Sequence, residues 1–163
     1  MSTLSKHAYR TIDDAALGGF KRILVGYRHW TIQEYGFLIV EVKHEVLKRL
    51  GHEGVVIKEA RYHYTEPSTE GRRDKIPLTV QLTPFMRESL RAFCHTHTVP
   101  GGFSGRDGDL TMFQTLKKYT KDKKLKHDVV FYLMNSDQQV RRAITEQDFT
   151  QGERIKGLDK AIP

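Results

Sequence analysis

The sequence predicts a single α/β domain in which helices flank a mixed, mostly antiparallel sheet. Its 163 residues fit one compact domain with a core of its own. Apolar residues recur at helical spacing near the N-terminus, and short apolar runs of strand composition follow them. On this basis we expect a loose N-terminus over 1–10, the domain itself over 11–145 and a polar C-terminal tail over 146–163.

Three helices are predicted from apolar spacing and from the residues at their starts. The first spans about 12–26, where Thr11 and Asp14 form a capping-box-like pair and apolar residues recur at positions 12, 15, 16, 20, 23 and 24. A short helix is expected after Thr83, because threonine caps helices and the proline that follows is tolerated at the first position. The third helix is expected from Asp107 to about Leu125.

The clearest strand is Phe37–Val40, which is apolar on both faces and therefore suits the centre of a sheet. The stretch 44–50 fits either an extension of this strand or a short helix. A long polar loop is expected over 65–75. Further strands are expected over 55–64, 77–82 and 91–97, and a hairpin over 128–135 and 138–145.

The charge and composition limit the classes of function. The formal net charge is +7 at pH 7, and positive side chains concentrate in Lys117–Lys126. Such a run is typical of a solvated helix face; no aromatic-bearing strand or DNA-reading helix accompanies it, so nucleic-acid binding is not favoured. No apolar run approaches the ~20 residues of a membrane span. The first residues lack an apolar signal core, so a cytoplasmic location is the default expectation.

The motif that indicates chemistry is His95-Thr96-His97, followed by a turn rich in Pro and Gly and then by Ser104 and Asp107. Two residues spaced i, i+2 on a strand point to the same face. Two imidazoles and one carboxylate are the protein ligands of a catalytic zinc site, whose fourth position stays open. The residue before the motif, Cys94, alternates to the other face. As the only cysteine of the sequence, it excludes both an internal disulfide and a cysteine-rich zinc site.

A fifth residue, Glu34, opens the strand of Phe37–Val40. Together with His95-x-His97 and Ser104-x-x-Asp107, it resembles the motif set of the JAMM/MPN family of zinc metallopeptidases, over about residues 11–145. The resemblance implies a JAMM/MPN-like fold with cytidine-deaminase-like layering. It also implies that Zn²⁺ is bound by His95, His97 and Asp107, that Glu34 takes a proton from the zinc-bound water, and that Ser104 hydrogen-bonds the developing oxyanion.

The sequence departs from the family pattern at two places. Thr98 stands where many members have proline, and six residues separate His97 from Ser104, where seven are more usual. If the turn does not absorb the shortening, Asp109 is the alternative carboxylate ligand.

The resemblance implies hydrolysis of a peptide or isopeptide bond, in a ubiquitin-like conjugate or in the substrate of a bacterial toxin or effector. The stretch Asp13–Leu17 is similar to a bacterial branch attached to toxins, so export within a larger protein is an alternative to a cytoplasmic location. The implied partner is a protein or peptide, which Arg72 and Arg73 in the loop 65–75 would help to hold. The alternatives are a non-catalytic MPN-type binding scaffold and, less favoured, a basic nucleic-acid-binding domain. No membrane partner is expected, and the oligomeric state stays open.

Overall fold

The computed structural model describes residues 3–69, 82–103, 108–150 and 160–161. They form one mixed α/β domain built on a sheet with the strand order β2-β1-β3-β4-β5-β6. All neighbouring strands are antiparallel except β3 and β4, which are parallel. The predicted mixed, mostly antiparallel sheet is therefore confirmed. The elements in chain order are α1 (Ile12–Gly26), β1 (Gly36–Leu50), β2 (Glu53–Tyr64), α2 (Pro84–Ser89), β3 (Leu90–Thr96), α3 (Asp109–Lys121), β4 (Val130–Met134), β5 (Gln139–Ala143), α4 (Gln147–Thr150) and β6 (Lys160–Ala161).

The sheet separates two hydrophobic clusters, one on each face. Successive side chains of β3 alternate between them, so Cys94 lies on one side and Phe93 on the other. The first cluster packs under α1 and includes Ala15, Ala16, Phe20, Ile23, Phe37, Ile39, Ala92 and Met134. The second packs under α3 and includes Leu38, Leu90, Phe113, Leu116, Leu125, Phe131 and Phe149.

Helix α1 has the predicted bounds and the predicted cap, so both predictions are confirmed. Thr11 Oγ1 accepts a hydrogen bond from the Asp14 N–H at 3.0 Å, which satisfies one of the free donors of the first turn. Gly19 allows the helix to approach β1 closely, because a Cβ at this position would lie 2.3 Å from the Phe37 ring. The helix is thus held directly above the strand that Glu34 precedes.

Strand β1 resolves the alternative that the sequence left open, since 44–50 continue the strand. Residues Phe37–Val40 are buried between β2 and β3, as predicted. The pairing with β3 ends at Val40, opposite Leu90. Beyond it, β1 is paired with β2 over ten further residue pairs, up to Leu50 and Glu53. Among the described strands these pairs form a two-stranded arm, which carries the exposed side chains of Leu47, Val55, Val56 and Ile57.

The later elements follow the prediction with shifted ends. Helix α2 begins with Pro84, and Thr83 Oγ1 accepts from the Met86 N–H at 3.2 Å. Strands β4 and β5 form the predicted hairpin. Most of the strand predicted over 77–82 lies outside the described residues, as does Asp107, the predicted first residue of α3. Within the described part of the chain, no helix is long and apolar enough to cross a membrane.

Described residues of the two segments expected to be loose, 3–10 and 146–150, make specific contacts with the domain. Near the N-terminus, Tyr9 and Tyr62 exchange two backbone hydrogen bonds of 2.8 Å. After position 146, the Phe149 side chain is only 8% exposed and belongs to the cluster under α3. The Asp148 carboxylate accepts from the backbone N–H groups of Ile144 and Thr145, at 2.7 and 3.0 Å. The polar composition of these segments did not indicate the few described residues that attach them to the domain.

Candidate metal centre

The two histidines of the His-x-His motif converge at the end of β3. Their Nε2 atoms are 3.0 Å apart, whereas residues i and i+2 on a regular strand are about 6.6–6.8 Å apart. His95 is completely buried, and the side chain of His97 is 12% exposed. Both rings turn the same nitrogen inward, which is the arrangement expected of two ligands that share one ion.

Asp109, the first residue of α3, contacts both imidazoles. Its Oδ1 lies 2.9 Å from His95 Nε2, and its Oδ2 lies 3.2 Å from His97 Nε2. The carboxylate is almost fully buried, with the residue 3% exposed. The structure therefore brings the alternative ligand to the histidines. Asp107 and Ser104 lie outside the described residues, so their roles stay predictions.

Glu34 approaches the same atoms from the start of β1. Glu34, His95 and His97 each offer a ligand atom, and these atoms lie within 4.8 Å of one another, so the cluster could hold a metal ion. The pairing of β1 with β3 explains the approach. Gly36 is the partner of His95 in the antiparallel register, and continuing that register by two residues sets Glu34 opposite His97.

The charges in the cluster suit a cation. Burial raises the pKa of Asp109, but the two imidazoles outweigh burial and hold this pKa below its usual value. Burial lowers the pKa of His95 despite the nearby Asp109 charge. Burial also acts to lower the pKa of His97, but the hydrogen bond and charge of Asp109, with a contribution from Glu34, raise it overall. An ionised carboxylate thus faces a neutral imidazole at His95, and both are forms that bind metal.

Aromatic side chains surround the inner histidine. The ring centroids of Phe93 and Phe103 lie 5.7 and 6.1 Å from that of His95. Phe103 in turn packs against Phe149, at 4.9 Å between centroids. Within the described part of the chain, His95 Nδ1 is buried without a hydrogen-bond partner. The polar contacts of this ring are therefore made through Nε2, the atom that faces the cluster.

Cys94 lies on the opposite face of β3, as the alternation of strand side chains predicts. It is fully buried in the cluster under α1. Burial raises the pKa of its thiol well above the usual value. A thiol in this state is a poor nucleophile, so the site chemistry does not involve it.

A second pair of histidines was not predicted. His44 Nε2 and His63 Nε2 are 3.0 Å apart, and the His63 Nδ1–H donates to the Ser5 carbonyl oxygen at 2.8 Å. The two histidines are on neighbouring strands but are not opposite each other in the register. No spacing along the sequence indicates such a diagonal contact, because it depends on the twist of the β1–β2 pair.

Comparisons with protein-family models, with curated proteins and with solved structures found no match for this chain. The residues of the cluster come from three separate parts of the fold: the approach to β1, the end of β3 and the start of α3.

Proposed function

We propose that the chain is a zinc-dependent hydrolase of JAMM/MPN type, which cleaves a peptide or isopeptide bond. The observation that supports this most directly is the position of Asp109 across His95 and His97, with Glu34 beside them. Three ligand groups and one additional carboxylate are the groups that such a reaction requires.

The donor set fits zinc. In a tetrahedral site with ligands at 2.0–2.1 Å, ligand atoms are separated by about 3.3–3.4 Å. The two imidazole nitrogens are 3.0 Å apart, and the two oxygens of Asp109 lie 2.9 Å from one nitrogen and 3.2 Å from the other. A small outward movement of these groups would accommodate the ion. Two imidazoles and one carboxylate also bind Fe(II) in some oxygenases, and elemental analysis distinguishes the two ions.

We assign different roles to the two carboxylates from their contacts and from the family resemblance. Asp109 touches both imidazole nitrogens directly and would be the third ligand. Glu34 offers a ligand atom within 4.8 Å of those of the histidines, and the resemblance to the JAMM/MPN motif gives it the role of general base. Zinc, when bound, lowers the pKa of a coordinated water to about 7 and polarises a substrate carbonyl. Glu34 would accept the proton of that water and return it to the leaving amine.

The site also borders the segment expected to hold the substrate. Gly36 pairs with His95 on one edge of β1, and on the other edge it exchanges backbone hydrogen bonds of 2.9 and 3.0 Å with Ser68. The first residues of the predicted loop 65–75 therefore run next to the start of β1. This supports a protein or peptide substrate lying along that edge. Arg72 and Arg73 are outside the described residues.

The proposal is tested by the metal content and hydrolytic activity of the purified wild-type protein and of His97→Ala. We expect about one zinc per wild-type chain, and hydrolysis of peptide or ubiquitin-like conjugates that a chelator abolishes and added zinc restores. His97→Ala should lose both properties. His29→Ala is the matched control, because His29 lies in the exposed turn before β1. This variant should retain both the zinc and the hydrolytic activity.

The outcomes separate the alternatives. A wild-type protein without bound metal would overturn the zinc site. Bound zinc without activity on any such substrate would support the non-catalytic scaffold instead. Bound iron would point to a different reaction class at the same residues.

A further inference from the structure

Thr96 lies between the two histidines but points away from them. Its neighbours His95 and His97 face the cluster, and alternation along β3 directs the Thr96 side chain to the opposite side of the sheet. The residue is completely buried. A buried hydroxyl needs a hydrogen-bond partner, and that partner belongs to the segment that carries Glu34.

The partner is the backbone of Tyr35, which Thr96 engages twice. The Tyr35 N–H donates to Thr96 Oγ1 at 3.0 Å, and the Thr96 N–H donates to the Tyr35 carbonyl oxygen at 2.8 Å. Thr96 thus binds both the N–H and the carbonyl oxygen of Tyr35, the residue that follows Glu34. This contact is the next pair after Gly36–His95, where the regular pairing of β1 with β3 ends.

We propose that Thr96 is a positioning residue of the metal centre, which fixes Glu34 relative to His95 and His97. The inference rests on the proposed function, since it concerns the same site. It assigns a role to a side chain that touches neither the ion nor the substrate.

The Thr96 hydroxyl accepts a hydrogen bond that a backbone carbonyl oxygen accepts in a regular strand pair. In a regular antiparallel pair, the Tyr35 N–H would donate to the Thr96 carbonyl oxygen. Because the hydroxyl accepts this bond instead, the Thr96 carbonyl oxygen is released from the ladder, while the Thr96 N–H stays bonded to Tyr35 and the Tyr35 N–H stays satisfied. On its other side, the chain remains attached to β4, since the His97 N–H donates to the Met134 carbonyl oxygen at 2.9 Å. This change in the strand pairing at Thr96 allows the two imidazoles to approach each other to 3.0 Å.

The chain contains a second contact of the same kind, away from the histidines. The Leu38 N–H donates to Thr65 Oγ1 at 2.9 Å, and the Thr65 N–H donates to the Leu38 carbonyl oxygen at 2.8 Å. Thr65 is 3% exposed, and it holds the opposite edge of β1. It is a matched control, because removing either hydroxyl leaves a buried backbone N–H, that of Tyr35 or that of Leu38, without its acceptor.

The test compares Thr96→Val, Thr96→Ser and Thr65→Val. Zinc affinity is measured by competition with a chromophoric chelator, and stability by urea unfolding of the metal-free proteins. We expect the two valine variants to lose similar stability. We expect Thr96→Val to bind zinc about 10–100-fold more weakly, as is typical when a group that orients metal ligands is removed. Thr96→Ser keeps the hydroxyl and should bind zinc with the wild-type affinity. Thr65→Val should also bind zinc with the wild-type affinity.

The cobalt(II) absorption spectrum gives a second measure of ligand geometry, and it should change in Thr96→Val alone. If Thr96→Val does not fold, Thr96→Cys replaces it, because sulfur fills the space but is a weak acceptor. Equal zinc affinity in the wild type and the Thr96 variants would overturn the positioning role and leave the proposed function intact. A wild type that binds no zinc would overturn both.

Discussion

Asp109 Oδ1 lies 2.9 Å from His95 Nε2, so the first residue of α3 is joined to the end of β3 inside the protein. The carboxylate sits in the first turn of its helix, where the helix dipole favours negative charge. The same residue is therefore placed by a helix start and oriented by two imidazoles. We therefore expect removal of the Asp109 carboxylate to matter more than removal of the Asp107 carboxylate.

The first prediction compares the two candidate aspartates. Asp109→Ala should lose the proposed zinc, because it removes one of the three ligands that we propose for the site. Asp107→Ala should keep it, if Asp109 is the ligand. Zinc per chain, measured by elemental analysis after gel filtration, checks both variants. Retention of a full equivalent in Asp109→Ala, with loss in Asp107→Ala, would restore the assignment first expected from the sequence motif.

The second prediction separates proton transfer from metal binding. Glu34→Gln should keep the fold and the zinc but lower turnover by about 10²–10⁴-fold, because an amide does not accept the proton. Glu45→Gln, an exposed carboxylate further along the same strand, is the control and should retain wild-type turnover. If zinc disappears from Glu34→Gln, Glu34 is a fourth ligand and not the base.

The third prediction concerns Cys94. Because the thiol is fully buried and burial raises its pKa, it should react with a disulfide reagent many times more slowly in the folded protein than in urea. The measurement is the absorbance of the released chromophore over time. Complete modification of native protein within the time of the unfolded control would contradict the burial of this residue.

The fourth prediction concerns pH and the Glu41–Arg91 ion pair at the base of the arm. Burial raises the pKa of Glu41, but Lys43 and Arg91 outweigh it, so the pKa is lowered on folding. A lowered carboxyl pKa stabilises the fold above the unfolded pKa of about 4.3, and this contribution is lost as the pH falls through the folded value.

Glu41→Gln should therefore reduce the free energy of unfolding at pH 7 by about 1–2 kcal/mol. The difference from wild type should shrink as the pH is lowered from 5 to 3. Urea unfolding at a series of pH values measures it. A difference that is the same at every pH would show that the lost contact is not ionic.

Features with local causes were predictable from the sequence. The bounds of α1 follow from the spacing of its apolar residues and from its Thr11 cap, and the start of α2 follows from Thr83 and Pro84. The buried start of β1 follows from four consecutive apolar residues, Phe37–Val40. In each case, the residues that cause the structure are adjacent in the chain.

Features with tertiary causes were not predictable. Whether 44–50 form helix or strand depends on β2, which pairs with them from beyond the turn. The contact of Asp109 with both imidazoles depends on where α3 begins, which the motif spacing left open between two aspartates. The role inferred for Thr96 has no signal in the sequence, since a threonine between two histidines on a strand is otherwise unremarkable.

The two-stranded arm implies that the backbone amides along β1 exchange their hydrogens at different rates. The first pair of the arm, Glu41–Tyr62, is also bonded by Tyr9. Further out, the two strands pair only with each other among the described residues, and their outer aliphatic side chains are exposed. Such pairs open without unfolding the rest of the domain. Deuterium should therefore enter the arm first, from the turn at Gly51 inward. The amides of Phe37–Val40 should exchange only when the whole sheet unfolds, so the start of β1 next to Glu34 stays rigid while its far end opens.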